Sequence, residues 1–371
     1  MQRSPRSAYR SAGVDYDALD AGKRNALTEA LATSELLAAA GGRALDSSRG
    51  EPAFVFEIGG QTLAFVLEGL GTKSIIARQL EDELGVGNFN AVAYDTVGAI
   101  VNDLCCVGAV PLVVNAYFAT GSSDWYDDAE RQAALLGGWR RGCEDAGATW
   151  GGGESPALSG LVAGAEIELA GSAIGLVPNG RPILGEQLAP GDAIVFVASS
   201  GMHANGASLA RSIAARLDRG YATPLRSGRS FGSALLDPSV IYVPLVRALL
   251  EQQVDVRYLS HITGHGLLKL MRPRQQLGYE IVALPEVPEV LQFMVDLAEL
   301  TPEAAYSTFN MGVGFAVYCA ADAADTVVSL ASGLGMRAHV AGAVVPGPRR
   351  VVLSELGVTY ESGDLDLTPR G

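Results

Sequence analysis

The chain is 371 residues long, more than the roughly 250 to 300 at which one hydrophobic core stops growing, so two packed domains are expected. Its formal charge of −14 offers no basic footprint for nucleic acid. Its apolar residues fall in short runs, without the ~20 consecutive positions needed to span a bilayer.

A cytoplasmic protein is therefore expected, with neither nucleic acid nor membrane as partner. The basic start, residues 1–17, is not followed by the apolar run of a secretory signal. Cys105, Cys106, Cys143 and Cys319 show no metal or disulfide spacing and read as buried thiols of a reducing compartment.

In chain order, Phe54 to Ile58, Gly59-Gly60 and Thr62 to Leu67 read as a hairpin. It feeds Glu68-Gly69-Leu70-Gly71-Thr72-Lys73, where a helix starts. Glycines at such a turn let backbone N–H groups approach a phosphate, and lysine supplies a point charge. A plain tight turn is the competing reading, because the GxxxxGK[ST] spacing is absent and Gly85-Val86-Gly87 lacks the third glycine of a dinucleotide fingerprint.

Residues 91–108 form an apolar helical pattern interrupted by Asp95, Asn102 and Asp103. At ~100° per residue these share one side. Polar groups on a buried helix must find partners. A divalent cation would satisfy them, and so would capping or a buried salt bridge. Pro111 to Thr120 reads as a strand, and Asp127 to Ala146 as an amphipathic helix ending at Gly147. Gly151-Gly152-Gly153-Glu154-Ser155 reads as a flexible turn after a strand, adding a carboxylate of the hard-oxygen kind that suits Mg²⁺ on a triphosphate. Glu166 to Val177 closes the first half as a strand, and Pro178-Asn179-Gly180-Arg181-Pro182 is linker chemistry.

The second half restarts with the strand Ala193 to Ala198. Ser200-Gly201-Met202-His203-Ala204-Asn205-Gly206 and His261-Ile262-Thr263-Gly264-His265-Gly266 each join a strand to a helix and hold three of the four histidines. Such turns can seat phosphate, ribose or amide groups, although any single histidine can equally be a structural hydrogen-bonding residue. His339 lies in an alternating strand and reads as structural. Phe309-Asn310-Met311-Gly312-Val313-Gly314 is a further glycine loop, and residues after Glu355 read as a polar tail adding little to the core. Alternating strands and helices predict α/β or α+β architecture.

These segments, in this order, resemble the aminoimidazole ribonucleotide synthetase (phosphoribosylformylglycinamidine cyclo-ligase) family. The match runs from Ala12-Gly13-Val14-Asp15 through Glu68 to Lys73, Asp95 with Asn102-Asp103-Leu104, Gly152-Gly153-Glu154, Ser199 to Gly206 and His261 to Gly266, ending at Phe309 to Gly314. The resemblance implies two domains, each a mixed sheet with flanking helices. Residues 1–178 would bind ATP and metal and dimerise, 179–355 would bind substrate, and 356–371 would be the tail.

It also implies a homodimer using ATP and Mg²⁺ to cyclise formylglycinamidine ribonucleotide. By matched position Glu68, Asp95, Asp103 and Glu154 are metal candidates, and with Gly69, Gly71, Thr72, Lys73, Gly152 and Gly153 they would hold ATP. Asp95, Lys73, Asn102 and His203 are catalytic candidates. Ser200, Gly201, His203, Asn205, Gly206, His261, Thr263, Gly264, His265 and Asn310 would bind substrate. The chain departs from the family pattern at Glu68 for Asp, at Ala116 for an acid, at Lys23 for a lysine expected elsewhere in the first helix, and at His265 for Gly. His265 is either a tolerated residue at positive φ or the mark of another substrate. A paralogue activating a different amide and a non-catalytic nucleotide-binding dimer are the alternatives. Selenophosphate synthetase and the hydrogenase maturation dehydratase are disfavoured, because their N-terminal and C-terminal cysteines have no counterpart here.

Overall fold

The computed structural model describes residues 16–365, so Ala12-Gly13-Val14-Asp15 lies outside them. A helix, Tyr16–Leu31, precedes a six-stranded sheet. The strands are β1 (Gly42–Ala44), β2 (Phe54–Ile58), β3 (Gln61–Gly69), β4 (Val110–Thr120), β5 (Thr149–Glu154) and β6 (Ile167–Leu176), ordered β1-β2-β3-β6-β4-β5. All neighbours are antiparallel except β4 and β5, so the sheet is mixed. β6 shows why it sits centrally: its residues alternate buried and half-buried along its whole length, the period-2 signature of a sheet with one packed face.

That packed face carries the helix Phe89–Cys105, capped by the Asn88 side chain accepting from Ala91 N. All its residues are buried except Asn90 and Ala99, as expected of a helix apolar on every side. The helix Ala129–Ala146 crosses it closely and stops at Gly147, φ 63°. The contact depends on Gly138, where a Cβ would come within 2.0 Å of the Asn90 carbonyl oxygen.

The second sheet has seven strands: β7 (Ala193–Ala198), β8 (Val256–His261), β9 (Leu277–Ile281), β10 (Val313–Cys319), β11 (Ala338–Pro346), β12 (Arg350–Leu353) and β13 (Val358–Glu361). Their order is β13-β12-β9-β11-β7-β10-β8, antiparallel except for β12 on β9. β10 is buried throughout and β7 nearly so, which explains their unbroken apolar sequence. The helices Ala207–Ala214, Val243–Glu251, Glu289–Leu297 and Ala324–Gly333 flank it.

Three expectations are corrected. The helix read over 91–108 spans Phe89–Cys105. Gly151 to Glu154 is not a turn but strand β5, paired parallel to β4. Residues beyond 355 do join the core: β13 pairs with β12, and Tyr360 and Leu365 are buried. The alternation of Val358 and Tyr360 was the signal, diluted by the glycines around it. All four cysteines are free and buried, as expected.

Gly138→Ala forces the two helices apart and is expected to cost about 1–3 kcal/mol, read as a lowered midpoint in thermal melts followed by circular dichroism.

Candidate active site between the two halves

The polar stripe on the helix Phe89–Cys105 does not point at solvent. Lys73 Nζ lies 2.5 Å from Asp95 Oδ2 with both side chains fully buried, and it also donates to the His203 carbonyl at 2.6 Å. Asp95 Oδ1 accepts from Ser239 N. Asn102 donates to the Val240 carbonyl and accepts from Tyr242 N, both at 2.8 Å. Asp103 Oδ1 meets His261 Nδ1 at 2.6 Å. Each partner except Lys73 belongs to the second half, so the stripe is a seam between the halves. Of the possibilities left open by the sequence, a buried salt bridge describes Asp95 and reciprocal hydrogen bonding describes Asn102.

Beside this seam opens a cleft of about 480 Å³, within the range of small-molecule sites. Its walls come from the first helix, the segment Gly50 to Pro52, the start of the Glu68 loop, the seam helix, and the His203 and His261 loops.

In the His203 loop, His203 takes φ 57°, and its Nε2 accepts from Ser200 N at 3.2 Å and Val240 N at 3.4 Å. Two donors on Nε2 assign the ring proton to Nδ1. Nδ1 is buried without a partner. Burial foremost, then the charges of His261 and Lys73, hold this imidazole well below its ordinary pKa, so it is neutral. Asn310 fixes the loop from behind, donating to the Gly201 carbonyl and accepting from Ser199 Oγ and Gly312 N.

In the His261 loop, His265 takes φ 70°, the left-handed conformation that a glycine would adopt without cost. The chain then turns through a 3₁₀ segment, Gly266–Met271, carrying Lys269, whose Nζ donates to Thr263 Oγ1 and to the His261 carbonyl. Burial, then the neighbouring Arg272, lower the Lys269 ammonium to about 8. Burial and the adjacent Asp103 push Glu68 up to about 7, and the two carboxyls share a hydrogen bond. Burial alone would raise Asp103, but the His261 hydrogen bond and charge, with Lys269 and Arg272, overrule it and hold it at about 2.

Of the residues singled out by sequence, the cleft gathers Glu68, Gly69, Asp95, Asn102, Asp103, His203, Asn205, His261, Thr263, Gly264 and His265. It does not gather Gly71, Thr72, Lys73, Gly152, Gly153, Glu154, Ser200, Gly201, Gly206 or Asn310. Lys73 is spent on Asp95 rather than open to a phosphate, and Thr72 hydrogen-bonds Ser208. Ser200 Oγ donates to the Pro238 carbonyl. Glu154 is exposed on the edge strand β5. Among the described residues no three Asp, Glu, His or Cys side chains converge as a metal set, so the four carboxylates expected to share a metal do not meet within one chain. Glu51, Lys269 and Arg272 were missed. Charges inside the apolar run Leu267-Leu268-Lys269-Leu270-Met271-Arg272 were the readable signal for the last two.

Comparison with known proteins follows the same division of the chain. The family model described as AIR synthase related protein, N-terminal domain, matches residues 50–177, and the corresponding C-terminal domain matches 189–354. The phosphoribosylformylglycinamidine cyclo-ligase of Methanothermobacter thermautotrophicus is 33% identical over 344 residues, covering 91% of this chain and 94% of that protein. The protein of the same name from Carboxydothermus hydrogenoformans is 31% identical over 359 residues, covering 94% and 98%. Among solved structures, hydrogenase maturation protein HypE in complex with ATP superposes with a TM-score of 0.60 at 18% identity, over 83% of this chain and 86% of that one.

Lys73→Met leaves Asp95 as an uncompensated buried charge and is expected to cost about 3–5 kcal/mol, whereas pairing it with Asp95→Leu should recover part of that loss. Chemical denaturation of both variants checks this. Glu68 has a raised folded-state pKa, so its contribution to stability is complete below its ordinary value of 4.5 and is lost as pH rises through about 7. In metal-free buffer the wild-type melting midpoint should therefore fall by a few degrees between pH 5 and pH 8, and Glu68→Gln should flatten that fall.

Proposed function

The chain belongs to the AIR synthase related family, and on that premise we propose that it is an ATP-dependent cyclo-ligase of purine biosynthesis, converting formylglycinamidine ribonucleotide to aminoimidazole ribonucleotide. The observation that carries this reading is that cyclo-ligase relatives match both halves of the chain, while the cleft is built at the seam joining those halves. A neighbour of the same fold holds ATP.

In the proposed reaction the γ-phosphoryl group of ATP passes to the formyl oxygen while the amide nitrogen gives up its proton, giving ADP and an iminophosphate. The ring-closing nitrogen then attacks the formyl carbon, the C–O bond breaks, inorganic phosphate leaves and the nitrogen loses its proton. Amide oxygen leaves poorly and phosphate leaves well, so the protein's work is positioning and charge neutralisation. Neutral His203 lines the cleft and keeps a buried, unpartnered Nδ1–H, a donor that would add no charge. Asn205, Thr263 and Gly264 offer polar contacts to the ribonucleotide.

The Glu68–Asp103 pair fits a divalent cation, since two hard-oxygen donors lie close enough for Asp103 to raise the pKa of Glu68. Magnesium bound there would neutralise phosphate charge as the phosphoryl group moves. Further oxygens would come from the triphosphate and water.

A homodimer is part of the proposal. On the side of the first sheet away from the seam helix, register places Phe54, Phe65, Ile174 and Val113 in one row and Leu67 beside it. Phe65 is 44% and Leu67 69% exposed, an apolar sheet face of the kind that pairs with another copy. No helix among the described residues is long and apolar enough to cross a membrane, and a cytoplasmic setting completes the reading. His265 at the cleft wall favours a second reading, a paralogue with another amide substrate.

With ATP, Mg²⁺ and formylglycinamidine ribonucleotide, purified protein should release ADP in step with aminoimidazole ribonucleotide. ATP binding without either product would sink the purine reaction in favour of the paralogue. Leu67→Lys should shift the protein from dimer to monomer in sedimentation velocity, and unchanged sedimentation would remove this face as the interface.

A further inference from the structure

Besides Lys23 and Arg24 of the first helix, two cations that the sequence did not single out, Lys269 and Arg272, stand in the cleft wall. Asp95 is matched by Lys73 and Asp103 by His261. Lys269 and Arg272 both line the cleft, at i and i+3 along a 3₁₀ segment, where side chains three apart stand one above the other. Arg272 Nε is buried with no hydrogen-bond partner, a costly condition for a guanidinium unless a ligand completes it. The neighbouring acid, Glu51, has its Oε2 taken by the Tyr258 hydroxyl at 2.7 Å. Burial foremost pushes Glu51 upward in pKa, against the pull of Arg272 and the Tyr258 hydrogen bond. The two cations thus form an anion-accepting end in a chain whose overall charge is −14.

We propose that Arg272, with Lys269 one 3₁₀ turn before it, anchors the phosphomonoester of the ribonucleotide substrate at the Glu51–Tyr258 end of the cleft. This deepens the cyclo-ligase reading and rests on it for the identity of the substrate. The planar guanidinium matches two phosphate oxygens at once, with Lys269 adding a point charge behind it. Anchoring at this end leaves the formyl group free to lie toward His203, on the opposite loop of the same cleft. Lys269 and Arg272 are then positioning residues, holding the substrate through its phosphate.

Calorimetric titration with ribose 5-phosphate, and separately with Mg²⁺-ATP, tests this on wild-type protein and on Arg272→Gln and Arg272→Lys. Arg272→Gln should weaken ribose 5-phosphate about 10- to 100-fold, the worth of a charged hydrogen-bonded contact, while ATP affinity stays within about two-fold. Arg272→Lys should fall between, keeping the charge and losing the fork. In turnover KM for the ribonucleotide should rise with kcat nearly unchanged, the mark of lost uniform binding. Unchanged ribose 5-phosphate affinity in both variants overturns the proposal, and so does a loss confined to ATP, which would assign the cations to the triphosphate. Should Arg272→Gln not fold, Arg272→Lys and Lys269→Met carry the same comparison. If ribose 5-phosphate binds through Arg272 while wild-type protein makes no aminoimidazole ribonucleotide, the anchor stands and the purine reaction falls.

Discussion

The buried ion pair between Lys73 and Asp95 is the constraint around which the molecule is arranged. Removing two charges from water costs several kcal/mol per ion, which their attraction offsets only in good geometry with the remaining polar atoms satisfied. The second half supplies that satisfaction: the His203 carbonyl accepts from Lys73, and Ser239 N donates to Asp95. Neither half alone can bury this pair without orphaned groups. Asn102 repeats the logic with neutral chemistry, satisfying the backbone of Val240 and Tyr242 across the seam. Polar groups on an apolar helix thus act here as specificity devices, setting how the halves dock more than how strongly.

The cleft follows from that docking. His203 sits where it does because its carbonyl is tied to Lys73 and its loop is pinned by Asn310. His261 sits on Asp103. The loops that line the cleft are therefore held by the residues that hold the halves together, and the pre-organisation that phosphoryl transfer needs is a by-product of the seam. Gly314 shows how tight this becomes: a Cβ there would fall 1.7 Å from the Tyr242 hydroxyl and 3.1 Å from His203 Cε1.

Much of this was legible in the sequence, because local signals carried it. The hairpin before Glu68, the helix ending at Gly147 and the apolar central strands followed from turn chemistry and periodicity. The stripe at Asp95, Asn102 and Asp103 was recognisable as a set needing partners. What no spacing rule could supply was which partners: Lys73 lies 22 residues away from Asp95 in sequence, and His261 lies 158 from Asp103. A lysine after glycines reads as a phosphate ligand until burial shows its charge already used. Gly151 to Gly153 reads as a turn because glycine disfavours strands, yet at Gly153 a Cβ would meet the Ala116 carbonyl at 2.2 Å, so close strand packing is what demands glycine there. Tertiary approach, not propensity, decided both.

Charge distribution gives the last link between seam and site. A chain of net charge −14 would, for the proposed reaction, still have to attract a phosphorylated, anionic substrate. Bulk charge and local field separate because each acid of the cleft has a partner inside the protein: Asp95 has Lys73, Asp103 has His261 and Glu51 has Tyr258, while burial raises the pKa of Glu68 and Glu51. Lys269 and Arg272 line the same cleft, where a fixed charge acts far more strongly than the screened surface charges outside it. Burial and the adjacent Asp103 raise Glu68 to about 7, so a divalent cation bound there would favour the ionised forms of both carboxyls. An acidic protein can in this way present a site for an anion and a cation side by side, provided its halves are docked closely enough to keep water from levelling the difference.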